Sequence, residues 1–181
     1  MLFSPLAPAD LDPEPDFAFT LYGGRLTDDN WRDSLRGEAD WVDAYLLVGA
    51  LSWTFYRPRH RWWSLELEGN LGRYAGDQDH WEFNGPIATA RWHRFPWRDT
   101  LNTSLAFGLG LSYASEIPPV EVELDGSSEQ LLLYWHIEAS FGLPDREWEA
   151  IFRLHHRSTG YGLFGETGGG NAFTAGLRLR F

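Results

Sequence analysis

His156 and Ser158, a histidine and a serine two residues apart, are the pair in this chain best suited to chemistry. An imidazole beside a hydroxyl is the base and nucleophile of acyl transfer: the ring nitrogen takes the proton and the oxygen attacks a carbonyl. Residues two apart on a strand share a face, with Cα atoms about 6.6 Å apart, so the hydroxyl can reach a ring nitrogen. The positions of the same parity before them are Trp148, Ala150, Phe152 and Leu154. A strand that is apolar on one side for four positions therefore ends that side on an imidazole and a hydroxyl. His155, on the other parity beside Arg153, reads as a satisfied interior group.

What would hold such a pair in place is set by the segments around it. Asn171 to Phe181 alternates strictly, with Phe173, Ala175, Leu177, Leu179 and Phe181 on one side and Thr174, Gly176, Arg178 and Arg180 on the other. In a water-soluble sandwich the apolar side would face inward; two arginines opposite it fit better in the polar interior of a membrane barrel whose apolar side meets lipid. The same dyad recurs along the chain. Leu105, Phe107, Leu109, Leu111 and Tyr113, with Leu101 and Thr103, oppose Asn102, Ser104, Ala106, Gly108, Gly110 and Ser112. Leu131, Leu133, Trp135, Ile137, Ala139 and Phe141 oppose His136, Glu138 and Ser140. Trp63, Leu65, Leu67 and Leu71 oppose Ser64, Glu66, Glu68 and Asn70, while Tyr45, Leu47, Leu51, Trp53 and Phe55 oppose Ala44, Ala50, Ser52 and Thr54. Phe17, Phe19 and Leu21 begin the series, and in the segment from Trp81 to Trp92 parity slips at Gly85 and Pro86, where a bulge is expected.

The predicted fold is thus all-β, an eight-stranded antiparallel transmembrane barrel of outer-membrane type spanning residues 16–181 after an irregular Pro- and Asp-rich tail, residues 1–15. Brief turns follow the second, fourth and sixth segments, at Arg57-Pro58-Arg59, Pro96-Trp97-Arg98-Asp99 and Pro144-Asp145-Arg146. Longer polar loops, Arg25 to Asp40, Asp77 to His80, Glu116 to Gln130 and Tyr161 to Gly170, fall at the opposite end, which is then extracellular. Ten Trp, seven Tyr and twelve Phe suit interfacial girdles, and Trp41, Trp53, Trp62, Trp63, Trp81, Trp92, Trp97 and Trp148 stand near segment ends. The predicted interior set is Glu66, Glu68, Arg91, His136, Glu138, Glu147, Glu149, Arg153, His155, Arg157, Arg178 and Arg180. Its near balance of charge points to a salt-bridged plug.

Composition narrows the function. A formal charge of −11 offers no basic stripe for phosphates, so no nucleic-acid partner is expected. With no cysteine, neither a disulfide framework nor a thiolate metal site is possible. Loop acids, Asp28, Asp29, Asp33, Glu38, Asp40, Asp77, Asp79, Glu116, Glu121 and Glu123 among them, read as solubilising charge, with divalent-cation contact as the alternative. Met1-Leu2-Phe3-Ser4 lacks the charged and apolar regions of a signal peptide, which reads as a mature form with an added start codon.

The stretch Arg153-Leu154-His155-His156-Arg157-Ser158-Thr159-Gly160, on the seventh of eight segments, resembles the PagL-type lipid A 3-O-deacylases and the acyloxyacyl hydrolase barrels grouped with them. The terminal Phe181 likewise resembles the assembly signal of outer-membrane proteins. The family pattern is HxSN near the end of the seventh strand, with an acid on the last strand orienting the histidine. What the resemblance implies is a bacterial outer-membrane esterase acting on lipid A or another outer-leaflet lipid without a cofactor or metal, with His156 as base and Ser158 as nucleophile. Two positions depart from the pattern. Thr159 stands where the family's Asn helps form the oxyanion hole, and Asn171 stands at the orienting position, with Glu166 as a second candidate for that role. Backbone N–H groups at Thr159 and Gly160 are candidate oxyanion donors, and the run Gly165-Glu166-Thr167-Gly168-Gly169-Gly170 either folds over the site or is a flexible loop. The competing reading is a non-catalytic structural or binding barrel in which His156 and Ser158 mark the rim.

Overall fold

The structure, a computed structural model, describes residues 15–28, 36 and 40–181. The expected tail is outside this range except for Pro15, as are Asp29, Asp33 and Glu38. Eight strands follow in order: β1 (Phe17–Thr27), β2 (Trp41–Tyr56), β3 (Trp63–Gly76), β4 (Trp81–Trp92), β5 (Asn102–Ala114), β6 (Leu131–Gly142), β7 (Trp148–Ser158) and β8 (Gly169–Arg180). Each pairs antiparallel with its sequence neighbour, and β8 pairs with β1 from Ala18↔Arg180 to Thr27↔Asn171, closing the barrel. Closure leaves none of these strands with an unpaired edge. One short helix, α1 (Pro119–Asp125), lies in the loop between β5 and β6.

The alternation places side chains as expected. Leu47, Leu51, Leu67, Leu71, Phe107, Leu109, Phe152, Leu177 and Leu179 are exposed on the outside, while their polar neighbours are buried inside. Trp41, Trp53, Trp81, Trp92, Trp97 and Trp148 are exposed near strand ends, where an interfacial girdle belongs. Thr103 is a local exception. Its parity is outward, yet it is buried, and its hydroxyl accepts from Trp97 Nε1 at 2.9 Å because the turn folds over it.

Parity in β4 changes where the sequence slips. Glu82 and Asn84 point inward, Pro86 is exposed, and Ile87, Thr89 and Arg91 are the inward residues beyond. The ladder shifts between Asn84 and Ala88 against β5 and opposite Glu68 to Asn70 against β3, so the bulge spans Gly85 and Pro86. Resetting parity brings Glu82 and Arg91 to the same side although nine positions apart. The expected interior set missed Glu82 for this reason. It also included Glu147, which is 59% exposed in the turn before β7.

Inside, cations and carboxylates stack from the turn end to the loop end. Arg178 and Arg91 share Glu66, at 3.1 and 2.8 Å, and Arg91 continues to Glu138 at 2.9 Å. Arg153 lies between Glu138 and Glu68, 2.7 Å from each, with all three side chains out of contact with solvent. Above them His155 Nε2 donates to Glu82 at 2.7 Å, and the hydroxyls of Tyr22 and Tyr134 lie 3.4 Å from its Nδ1. Arg157 reaches Glu82 at 3.4 Å and Glu121 of α1 at 3.2 Å. Buried charge survives only when it is paired and hydrogen-bonded, and this ladder satisfies that condition layer by layer.

Glu121 departs from its reading as a solubilising loop acid. It is 2% exposed and accepts a hydrogen bond from Ser128. Burial pushes its carboxyl up to about 7, outweighing the nearby Arg157 and the Ser128 hydroxyl. The sequence counted it with exposed acids because an ion pair between a loop helix and a distant strand leaves no periodic signal. Asp79, another of those acids, pairs with Arg73 on β3.

Candidate functional site

The last residues of β7 switch from an apolar outer face to a polar one. Phe152 is exposed on that face, but Leu154 and His156 are buried although their parity still points out of the barrel. Register explains the difference. Leu154 lies between Ile137 of β6 and Phe173 of β8, and His156 lies between Trp135 and Asn171. Side chains of the flanking strands, rather than the interior, cover these two.

His156 Nδ1 donates to Asn171 Oδ1 at 2.6 Å. An amide oxygen can only accept, so this bond holds the proton on Nδ1 and turns Nε2, with its lone pair, away as the basic nitrogen. On the other side the Trp135 ring packs on the imidazole with centroids 4.3 Å apart and planes 35° apart. Such a face stabilises a neighbouring cation, so it favours an imidazolium formed there. Asn171 is opposite both His156 on β7 and Thr27 on β1 and is 6% exposed. The amide is thus held by strands on both sides.

Ser158 is half-buried and lies opposite Leu133 and Gly169. No hydrogen bond joins its hydroxyl to His156 among the described residues. The backbone of β8 crowds it from one side: Gly169 has φ of +139°, and a Cβ there would meet Arg157 O at 2.3 Å. Only glycine fits, and its bare backbone leaves the side of Ser158 without a covering side chain. Thr159 and Gly160 follow at the start of the next loop, and Phe164 N donates to Thr159 O at 3.0 Å to close it.

The other sequence candidates separate. Asn171 is beside His156, whereas Glu166 is exposed in the loop and is not hydrogen-bonded to His156 among the described residues. The glycine-rich run leans toward the preceding loop: Thr167 and Ser127 are hydrogen-bonded through their hydroxyls, and a Cβ on Gly168 would strike Ser128. No cluster of three metal-ligating side chains exists among the described residues. Trp135 is the site neighbour that sequence reading left on the lipid face without a role. It could have been found only by fixing the β6–β7 register, since nothing local marks it. Behind the site, Arg157 faces inward and ties β7 to α1 through Glu121 and to the loop through the carbonyl of Glu129 at 2.8 Å.

No protein-family model matches the chain, and no curated protein sequence matches it. Among solved structures, it matches a crystal structure of the outer membrane enzyme PagL at 13% sequence identity, with a TM-score of 0.54, over 91% of this chain and 99% of that one. The closed antiparallel barrel, its alternating faces and this whole-length match agree: in fold, the chain is similar to the outer membrane enzyme PagL.

Proposed function

We propose that the chain is a serine esterase of the bacterial outer membrane that removes an acyl chain from lipid A or a related outer-leaflet lipid. The observation that carries this reading is the 2.6 Å bond between His156 Nδ1 and Asn171 Oδ1, on the lipid-facing side of β7 and two residues before Ser158. A rim histidine with no task gains little from an amide partner that fixes its tautomer; a general base depends on one.

In this reading His156 Nε2 takes the Ser158 proton as Oγ attacks the ester carbonyl. Backbone N–H groups of Thr159 and Gly160 receive the developing oxyanion. The imidazolium, flanked by Asn171 Oδ1 and the Trp135 ring, returns its proton to the departing alkoxide, and water then releases the fatty acid by the reverse sequence. No cofactor enters. The position on the lipid-facing side suits a substrate whose acyl chains lie against the barrel.

A non-catalytic barrel is the second reading, and one observation favours it: the Ser158 hydroxyl has no hydrogen bond to His156 among the described residues. Catalytic hydrogen bonds are often long in the absence of substrate, so the distinction rests on activity. The test is acyl release from purified lipid A and from phospholipid by detergent-refolded protein, beside a Ser158→Ala variant that folds equally well. The esterase reading expects the variant to lose about 10⁴-fold or more of the rate. Equal rates in the two proteins, or none in either, would overturn it.

A further inference from the structure

We propose that the turn following Ser158 is an interfacial anchor, with Tyr161 and Leu163 inserting into the outer leaflet beside the site. Two observations point to this. Tyr161 is 108% exposed and Leu163 78%, the two most solvent-exposed large apolar side chains of the described residues, whereas the exposed large apolar residues of the strands range from 37% to 58%. Exposure of that degree is costly in water for a leucine and favourable at a membrane surface, where a tyrosine ring also prefers to sit with its hydroxyl among headgroups.

The backbone presents these side chains deliberately. Gly160, Tyr161 and Gly162 all have left-handed φ values, +61°, +61° and +89°. Two glycines accept this conformation readily; a tyrosine does not, and among described non-glycine residues only Arg61 shares it. Residues held in such a conformation are kept there by their surroundings, and here the closing bond from Phe164 N to Thr159 O supplies the constraint. The result is a rigid, short projection three residues after Ser158. The partner it fits is the lipid surface itself, because the exposed apolar belt of β6 and β7, Leu131, Ile137, Trp148 and Phe152, runs along the same wall of the barrel. Anchored there, the turn fixes the depth of Ser158 relative to the headgroup boundary.

The inference rests on the membrane placement proposed above but not on esterase activity, and the experiment keeps them apart. The chain has no cysteine, so single substitutions Tyr161→Cys, Leu163→Cys, Phe152→Cys and Asp145→Cys each give one nitroxide-labelled site. The proteins are refolded into vesicles of phosphatidylethanolamine and phosphatidylglycerol, and collision of each label with oxygen and with a water-soluble nickel chelate is measured. The anchor expects sites 161 and 163 to favour oxygen severalfold over Asp145→Cys, approaching Phe152→Cys. Sites 161 and 163 as accessible to nickel as Asp145→Cys would overturn the anchor while leaving the barrel in the membrane. If Phe152→Cys is also nickel-accessible, the membrane placement itself falls and the anchor with it.

Discussion

His155 and His156 are neighbours in the chain and opposites in environment. His155 points into the barrel, where Glu82 accepts from its Nε2 at 2.7 Å and two tyrosine hydroxyls meet its other nitrogen. His156 points out, where an amide accepts from Nδ1 and an indole covers the ring. The inward imidazole has every polar direction filled and a carboxylate for a partner; it is built into a ladder of charge. Among the described residues the outward one has a single polar partner, an amide rather than a carboxylate, and its Nε2 is not hydrogen-bonded. A one-residue step along a strand thus separates a group that is fixed in the fold from one that, on the proposed mechanism, exchanges a proton.

The largest effect expected from breaking this contrast is on the inward side. Arg153 holds Glu68 and Glu138 together, and Arg153→Met leaves Glu68 buried without the cation that pairs it, with Glu138 still held by Arg91. Loss of one partner from a buried pair costs about 3–5 kcal/mol. The variant is expected to unfold at markedly lower urea concentration, read by tryptophan fluorescence in detergent, while protein that has folded releases acyl chains at the original rate. Equal loss of activity and stability would mean that the interior ladder and the outward site are one unit.

Next in size is a pH effect at the top of the ladder. The folded state binds the Glu121 proton more tightly than the unfolded chain, because burial raises its carboxyl to about 7. Stability from this group is therefore complete below about pH 4.5, falls as pH rises, and is flat above about 7, a loss of about 3 kcal/mol. His80 and His93, outside the strands, work in the opposite direction: burial lowers both to about 4, so they favour folding as pH rises toward 6.5. The difference between wild type and Glu121→Gln isolates the carboxyl. Unfolding midpoints at pH 4.5 and 7.5 are expected to converge at the lower pH and to favour the Gln variant at the higher; identical slopes would remove Glu121 from the account.

How far the sequence could be read follows the same division. The strands, the outward Leu, Phe and Trp positions and the inward Arg and Glu positions were legible because dyad alternation is a local signal, with nothing else required than the burial preference of each side chain. Glu82 was not, because the bulge at Gly85 and Pro86 resets the count within β4. Glu121 was not, because it sits on α1 in the β5–β6 loop and its partner Arg157 lies on β7. At the site, His156, Ser158 and Asn171 could be named from spacing and resemblance. That Asn171 rather than Glu166 stands beside His156 depends on the β7–β8 register, and the packing of Trp135 depends on the β6–β7 register. Register is set by turns and bulges far from the residues it brings together.

The outward side offers the finer test, because its polar partner among the described residues is an amide. Asn171 Oδ1 orients the ring but carries no charge, so among the described residues the Trp135 face and an amide dipole are what would stabilise an imidazolium formed on proton transfer. Asn171→Asp changes no atom count at the contact and adds the carboxylate that His155 already enjoys in Glu82. On the proposed mechanism it is expected to raise kcat about tenfold, equivalent to about 1.4 kcal/mol in the barrier, with KM unchanged. Asn171→Ala removes the acceptor as well and is expected to lower kcat, while a purely structural role for Asn171 would make both substitutions destabilising and neither selective for kcat. The carboxylate has a cost of its own, since the position is 6% exposed and beside lipid. If Asn171→Asp lowers stability but still raises kcat in folded protein, the amide is a compromise between a base that must be oriented and a wall that must stay uncharged. If kcat falls with Asp and survives with Ala, His156 is not a base held by Asn171, and the outward histidine is as structural as the inward one.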